Sequence, residues 1–426
     1  MNSSTALRIV QILILVTLVI PIAFVSLSST DPSGITLYIS ALLGYAGLGL
    51  LIWMFIIGSR SVSHFISRDQ IAINKLHQFL GKYGVLLIFL HPLFVVLSYG
   101  ESAFYSLVPD VSTEFQQHVT MGRIALYILL VIWFSSAILR DKISYRPWRY
   151  LHYIAYASLP FALLHAPGVG STYISSSIAK IYVYTIVVVL VGVLLLRVRE
   201  WFNLNSYRYT LVSRKEITPR THLLHMKPAN EKLNPKKGQF VYLRQTFFGE
   251  QHPFSVLHHD DNGDLYVAFR QFGKYTDKLS RVRPGASLNI TGPYGVFTKE
   301  IEDVSNIVFI AGGIGITPFL HHILSAGKND KPLLFFSNPA PSSAPFLDKL
   351  RKALGDRIIE LYRDKPPRSR GEVGFISEDT IKKYVKKPDE HTYFLCGPPN
   401  MIDAAREALV NMHVDVDKIH TEEFRL

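Results

Sequence analysis

Hydrophobic positions run in long blocks through the first half of the chain and in short alternating runs through the second. Six blocks have the length and character of membrane spans: 9–27, 35–57, 75–99, 119–139, 151–165 and 178–196. A span needs about 20 apolar residues to cross about 30 Å of hydrocarbon. The second block carries no charge over its 23 residues, and the fifth is short and takes its support from its neighbours. The first reads as a retained span, because no small-residue cleavage motif follows it cleanly and five further spans come after it. Beyond Arg199 the period changes. Segments 207–212, 220–226, 239–244, 254–258, 265–272 and 287–291 predict six strands of a small antiparallel barrel. From Asn306 onward, continuous apolar strands at 307–310, 332–336, 358–362 and 392–395 alternate with helical segments, which predicts an open parallel sheet with a nucleotide crevice at its strand ends. Three domains are expected: a six-helix membrane bundle over 1–200, a β-barrel over 201–300 and an α/β domain over 301–426.

Composition agrees with a chain that is half in lipid. Hydrophobic residues make up 48% and charged residues 18%, against roughly 25% charged in ordinary soluble domains. A disordered chain, a disulfide scaffold and a plain soluble enzyme are excluded. The single cysteine, Cys396, cannot form an internal disulfide, an Fe–S cluster or a Cys-type zinc site. The net charge of +12 is topological and no nucleic-acid footprint. Loop 58–75 holds Arg60, Arg68 and Lys75, and loop 140–149 holds Arg140, Lys142, Arg146 and Arg149. The opposite loops hold Asp31, then Glu101, Asp110 and Glu114, then no charge over 166–177. The positive-inside rule puts the N-terminus, both basic loops and everything after Arg197 in the cytosol of a cell-membrane protein.

Four histidines fall on two spans: His77 and His91 on the third, His152 and His165 on the fifth. Ionisable groups at membrane depth are costly and mark function. Steps of 14 and 13 residues rise about 21 Å and 19–20 Å, so His77 is level with His152 and His91 with His165. Two neutral imidazoles facing across a gap at each level suit bis-histidine ligation of a haem iron, twice, as a wire across the bilayer. A 14-residue step returns to within about 40° of its starting face, whereas 13 residues miss it by about 140°. Pro160 is the expected source of a kink or π-bulge in the fifth span that restores the phase. Lys82 is expected to face the bundle interior and reach a haem propionate. His64 and His118 read as loop residues, His222, His225, His258 and His259 as strand or turn residues, and His321 and His322 as helical.

In the second half, Gly312-Gly313-Ile314-Gly315-Ile316-Thr317-Pro318 follows a strand and opens a helix. Glycines there let backbone amides approach a pyrophosphate at the helix N-terminus, and Pro318 suits the first helical turn. Cys396-Gly397-Pro398-Pro399-Asn400-Met401 repeats the pattern after the fourth strand, so both loops flank one crevice. In the barrel, His252-Pro253-Phe254-Ser255 and Gly292-Pro293-Tyr294-Gly295-Val296-Phe297-Thr298 place aromatic rings beside hydroxyls, as a flavin face requires.

Taken together these residues resemble the transmembrane ferric reductase/NADPH oxidase superfamily over nearly the whole chain, as a compact prokaryotic-type member. The resemblance implies a cytosolic module with the ferredoxin–NADP reductase fold. Its flavin motifs match His252–Ser255, Gly292–Gly295 and Gly273-Lys274-Tyr275-Thr276, and its nicotinamide motifs match the two glycine loops. His252 stands where soluble relatives usually carry arginine, so charge for the pyrophosphate has to come partly from elsewhere. By the same resemblance, hydride passes from NADPH or NADH to FAD, then electrons pass singly through two b-type haems to an extracytoplasmic acceptor, which makes the chain an NAD(P)H oxidoreductase. Cys396 is expected to position the nicotinamide. Phe424, third from last, is expected over the isoalloxazine as a lid.

The acceptor stays open between O2 and Fe(III). Glu101, Asp110 and Glu114 suit iron attraction, and Arg123 suits a propionate or developing superoxide. An extracytoplasmic partner protein fed by this chain, a homo-oligomer, and a membrane-anchored flavoreductase without a haem wire are the alternatives. The stretch Ser337-Asn338-Pro339-Ala340-Pro341-Ser342-Ser343 after the second parallel strand has neither an arginine for a 2′-phosphate nor an acid for an NADH ribose. Arg363, Lys365, Arg368 and Arg370 follow the third, so weak discrimination between the two nucleotides is expected.

Overall fold

The computed structural model describes residues 3–59, 62–63, 70–202, 204–246, 249–297, 301, 304, 306–327, 331–364 and 370–422. Arg60, His64, Arg68, Thr298, Lys365, Arg368 and Phe424 lie outside these residues. The chain forms two compact units, Met1–Val198 and Arg199–Leu426.

The first unit is helical. α1 (Ser3–Val19) precedes α2 (Pro32–Gly58), which Asp31 caps by accepting the Gly34 N–H at 3.1 Å while Pro32 fills a first-turn position that needs no donor. α3 (Gln70–Phe79) passes through a π-turn, Leu80–Gly84, into α4 (Leu86–Tyr99). α5 (Glu114–Trp133) ends in a second π-turn, Phe134–Ile138. α6 (Tyr145–Tyr153), α7 (Ala155–Val169), α8 (Ser171–Ser175) and α9 (Ser177–Trp201) follow. α2 is the hub, sharing one apolar cluster with α5, α7 and α9 and another with α1 and α3. The outward faces stay apolar, with Val188 and Leu195 exposed, as a hydrocarbon solvent allows.

Among the described residues, five helical stretches are long and apolar enough to cross a membrane: Thr5–Ala23, Pro32–Gly58, Ala72–Tyr99, Glu114–Ile138 and Ser177–Glu200. The fifth of the six expected spans is instead built from α6 and α7. They meet at Ile154, whose N–H bonds to the Leu151 carbonyl at 3.0 Å in the tighter i→i−3 pattern. Pro160 sits inside α7 and is not where the helix breaks.

The second unit opens with a closed barrel. Its strands β1 (Tyr207–Thr218), β2 (Thr221–Pro228), β3 (Phe240–Arg244), β4 (His252–His259), β5 (Leu265–Arg270) and β6 (Ser287–Tyr294) run in the order β1-β2-β5-β4-β3-β6. Closure leaves no edge strand, and Tyr209, Leu211, Leu224, Val241, Val267 and Ile290 fill the interior. A short helix, α10 (Lys274–Leu279), joins β5 to β6. The parallel sheet has the order β10-β9-β8-β7-β11-β12. β7 (Ile307–Gly312) leads through a 3-10 turn, Gly313–Ile316, into α11 (Thr317–Ser325). β8 (Leu333–Asn338), α12 (Leu347–Leu354), β9 (Ile358–Tyr362), β10 (Glu372–Val373), α13 (Glu378–Tyr384), β11 (Thr392–Cys396), α14 (Pro399–Asn411) and β12 (Ile419–Glu422) complete it. Strand order reverses between β7 and β11, the switch point at which such sheets form their crevice. The edge strands β10 and β12 were not foreseen; each is too short, or too polar, to carry a strand period.

One buried charge holds the β9 side of this sheet. Glu360, 2% exposed, receives Arg351 through two bonds of 2.6 and 2.7 Å and the Tyr362 hydroxyl at 2.7 Å. Burial pushes its carboxyl up, but the hydrogen bonds from Arg351 and Tyr362 outweigh it and hold the group below its ordinary value. That stabilisation is present above the ordinary glutamate range and fades as pH falls through the lowered folded value. Arg351→Met strands the carboxylate and is expected to cost about 3–5 kcal/mol. Adding Glu360→Gln should recover part of the loss, as calorimetry of the solubilised chain would measure.

Candidate functional site

The histidines of the helical unit come together in two pairs. The His77 and His152 ring centroids lie 6.2 Å apart with planes at 66°, and those of His91 and His165 lie 6.2 Å apart at 73°. Two nitrogen–metal bonds of about 2.0–2.1 Å, with half a ring at either end, fill such a gap. Three of the four rings use Nδ1 elsewhere. His91 Nδ1 lies 2.8 Å from the Ser40 carbonyl, His165 Nδ1 2.9 Å from the His118 carbonyl, and His152 Nδ1 3.2 Å from the Ser136 hydroxyl. A ring donating Nδ1–H to such acceptors presents Nε2 as its lone-pair nitrogen, the usual tautomer of a metal-ligating histidine. The donor set therefore fits two bis-histidine haems.

Glycines on the neighbouring helices make room for these rings. A Cβ on Gly58 would approach His77 to 3.0 Å, one on Gly44 would approach His91 to 3.0 Å, and one on Gly122 would approach His165 to 2.7 Å. Sequence reasoning missed all three, although Gly44 and Gly58 repeat the 14-residue spacing of His91 and His77 on the adjacent helix. Both spans leave the regular α-helix between their histidines. The third passes through the π-turn Leu80–Gly84, which takes up an extra residue, and the fifth through the i→i−3 junction at Ile154. Lys82 departs from expectation: it sits in that turn with an exposed side chain, its amine 5.3 Å from the Tyr83 ring centroid, and does not face the interior. Arg123 is 4% exposed, 4.9 Å from the Tyr105 ring, with Nη1 donating to Thr120 at 3.3 Å.

In the second unit the two glycine loops meet at the switch point. Ala311 on β7 pairs with Cys396 on β11. A Cβ on Gly315 would lie 2.3 Å from the Cys396 carbonyl oxygen, one on Gly312 would lie 2.7 Å from both Pro398 Cδ and Met401 Sδ, and one on Gly397 would lie 2.6 Å from Met401 Cε. Only glycine allows this backbone approach. The Thr317 hydroxyl donates to the Ile314 carbonyl at 2.9 Å, and Pro318 opens α11, so both serve the turn itself. Cys396 is buried, and burial, then Glu422, push its thiol well above the ordinary value. Both favour the neutral form of the thiol.

The flavin-side residues gather at one end of the barrel. His252 stacks on Tyr275 with centroids 3.8 Å apart, Phe254 is buried, and the Tyr275 hydroxyl donates to the Leu243 carbonyl at 2.5 Å. Burial raises the Tyr275 hydroxyl far above its usual range, with Arg244 pulling against it. Ser255 Oγ and Thr291 Oγ1 are buried without a hydrogen-bond partner among the described residues, acceptor and donor positions of the kind a flavin would meet. Thr276 spends its hydroxyl on Phe272 and Gly273, fixing the loop whose Gly273 has φ +83 and open space beside it. Pro253, second in β4, pairs with Tyr242, Gly292 precedes a cis proline, and Gly295 has φ +98, with Phe240 3.0 Å from where a Cβ would stand. Tyr294 lies 5.4 Å from Tyr242 in edge contact. Three charged residues were not singled out from sequence for this site. Arg244 stands by Tyr275, Arg270 has Nη1 3.9 Å from the Cβ position of Gly313, and Glu422, 3% exposed, pairs with Cys396 across β11 and β12. Arg244 and Arg270 are cations placed beside these motifs. Their signal was only a basic residue ending a strand.

A helical component carrying two histidine pairs, joined in one chain to a flavin-type barrel and a nucleotide-type parallel sheet, defines a membrane oxidoreductase class. Residues 43–163 match the ferric reductase like transmembrane component and residues 309–407 the oxidoreductase NAD-binding domain. It is 33% identical over 153 residues to NADH-cytochrome b5 reductase 2 of Mycosarcoma maydis, covering 33% of this chain and 43% of that one. It is 29% identical over 237 residues to sulfhydrogenase 2 subunit gamma of Pyrococcus furiosus, covering 50% and 82%. The cytochrome b5 reductase domain of Ulva prolifera nitrate reductase superposes at TM-score 0.45 with 19% identity, covering 51% and 97%. The chain thus spans less than half the length of the first of these relatives.

Gly315→Ala is expected to open the contact between the two glycine loops. The nicotinamide nucleotide should then bind at least about tenfold more weakly, about 1.4 kcal/mol, with flavin content unchanged. Nucleotide titration against flavin absorbance checks both.

Proposed function

We propose that the protein is an NAD(P)H oxidoreductase that moves electrons from a nucleotide on the cytosolic side, through FAD and two haems, to an acceptor on the far side of the cell membrane. The observation that carries this reading is the pair of imidazole pairs, each spaced for one metal and each on the same two spans. When bound, FAD converts two-electron into one-electron chemistry and haem carries single electrons; that chemistry belongs to the cofactors. The chain's own residues bind and orient. His77 with His152, and His91 with His165, would hold the haems through Nε2. Ser255, Thr291, His252 and Tyr275 would receive the flavin, with Arg244 and Arg270 facing phosphate. Backbone amides around Gly312–Gly315 would take the nucleotide pyrophosphate, and Cys396, neutral and buried beside Glu422, would set the floor under the nicotinamide. The basic loops orient both termini to the cytosol.

Between the two acceptors, Arg123 favours O2. Its guanidinium is buried with Nε lacking a partner among the described residues, next in sequence to Gly122, which packs on His165. A fixed cation in a water-poor site stabilises developing negative charge on a small acceptor. Fe(III) attraction by Glu101, Asp110 and Glu114 rests on charge in a loop alone.

The test is NAD(P)H-driven reduction of cytochrome c by detergent-purified protein. Loss of the signal on adding superoxide dismutase supports O2, and persistence supports a metal or protein acceptor. His91→Ala and His165→Ala are each expected to remove one haem and abolish transmembrane reduction while flavin reduction by NAD(P)H continues. Retention of both haems and full turnover would overturn the pairing. The ratio of kcat/KM for NADPH and NADH should stay within about a hundredfold, about 2.7 kcal/mol; a larger ratio would reveal a dedicated 2′-phosphate or ribose pocket.

A further inference from the structure

We propose that Arg140, Trp148 and Ser136 form a relay that withdraws electron density from His152 and raises the reduction potential of the haem held by His77 and His152. The inference rests on the haem reading above. These three are positioning residues, since none touches a reacting atom.

Ser136 carries the argument. Its Oγ lies 3.2 Å from His152 Nδ1 and 3.1 Å from Trp148 Nε1. An indole N–H only donates, so Ser136 accepts from Trp148. A His152 that binds metal through Nε2 carries its proton on Nδ1, so it donates to the same oxygen. Both lone pairs of one hydroxyl are then engaged, and each donor weakens what the oxygen offers the other. Trp148 is itself a strengthened donor. The Arg140 guanidinium lies 4.5 Å from its ring centroid, drawing on the π density. Trp148 also stacks on His152 at 4.9 Å with planes 30° apart, which fixes the imidazole's rotation.

The other pair has backbone carbonyls as its nearest acceptors. His91 Nδ1 meets the Ser40 carbonyl at 2.8 Å, with the Ser40 hydroxyl further off at 3.1 Å and within reach of the His91 carbonyl, and His165 Nδ1 meets the His118 carbonyl at 2.9 Å. A backbone carbonyl is a full acceptor; it makes the ligand more basic and favours the oxidised metal. The shared hydroxyl at His152 does the reverse. Second-sphere hydrogen bonding of this kind is one of the levers a protein has on a haem potential.

The relay makes a prediction of sign. Trp148→Phe keeps the stacked ring but removes the competing N–H, so Ser136 accepts more fully from His152 and the potential should fall. Ser136→Ala removes the acceptor altogether, so the potential should rise. Ser136→Thr keeps a hydroxyl and should stay at the wild-type value. Arg140→Met should follow Trp148→Phe with a smaller shift. Each shift is expected within about one factor of ten in the one-electron equilibrium, about 59 mV. The measurement is a potentiometric titration of the haem bands in full-length, detergent-purified protein, repeated in a His91→Ala background to isolate the centre concerned. Opposite shifts for Trp148→Phe and Ser136→Ala, with the His91–His165 centre unmoved, support the relay. Shifts in the same direction, or none, with both haems present overturn the relay and leave the haem reading standing. Absence of haem bands from the wild-type protein overturns both.

Discussion

An imidazole inside an apolar helix bundle has two nitrogens to satisfy and no water with which to do it. In this chain that constraint organises the helical unit. Each of three rings gives Nδ1 to a named oxygen on a neighbouring element, Ser40, His118 or Ser136, which leaves Nε2 as the lone-pair nitrogen. Those acceptors lie on α2, on α5 and in the π-turn that ends α5, so the rings knit the helices that carry them to the helices beside them. Glycines at 44, 58 and 122 follow from the same need, because a bulkier residue would stand within contact distance of a ring that has no freedom to move. Both spans depart from the regular α-helix between their histidines, at the π-turn Leu80–Gly84 and at the Ile154 junction, and the rings meet at both levels.

The second unit solves a related problem with backbone instead of side chains. At the switch point, β7 and β11 end in turns that approach within the radius of a single Cβ, and glycine is the only residue that permits it. The result is a crevice floor of amides and a buried neutral thiol. Glu422 is buried beside that thiol, and Arg270 reaches the Gly313 turn. Among the described residues the barrel leaves the hydroxyls of Ser255 and Thr291 buried without partners, an arrangement that a folded chain tolerates where a ligand completes it.

Much of this was legible in the sequence. The change from 20-residue apolar blocks to short alternating runs near Arg199 falls beside the boundary between the two units, and the six barrel strands and four central parallel strands follow their periods. The histidine spacing predicted which ring meets which. What escaped was set by geometry that leaves little trace in a single sequence. A π-turn has the same composition as an α-turn, so the phase correction was looked for at Pro160, the one visible helix-breaker. Lys82 was placed inward because charge in a span is costly, yet a long side chain can satisfy itself at the outer surface. Glu422 acquires its neighbour Cys396 only through the pairing of β12 with β11, a strand too short to announce itself. Ser136 and Trp148, twelve residues apart on separate elements, acquire meaning only once both are seen on His152.

The central claim is that each histidine pair holds one haem, and haem stoichiometry tests it most directly. Pyridine haemochrome analysis of purified wild-type chain should give two b-type haems per polypeptide, with both reduced by dithionite. A value of zero, or one that His91→Ala leaves unchanged, would contradict it.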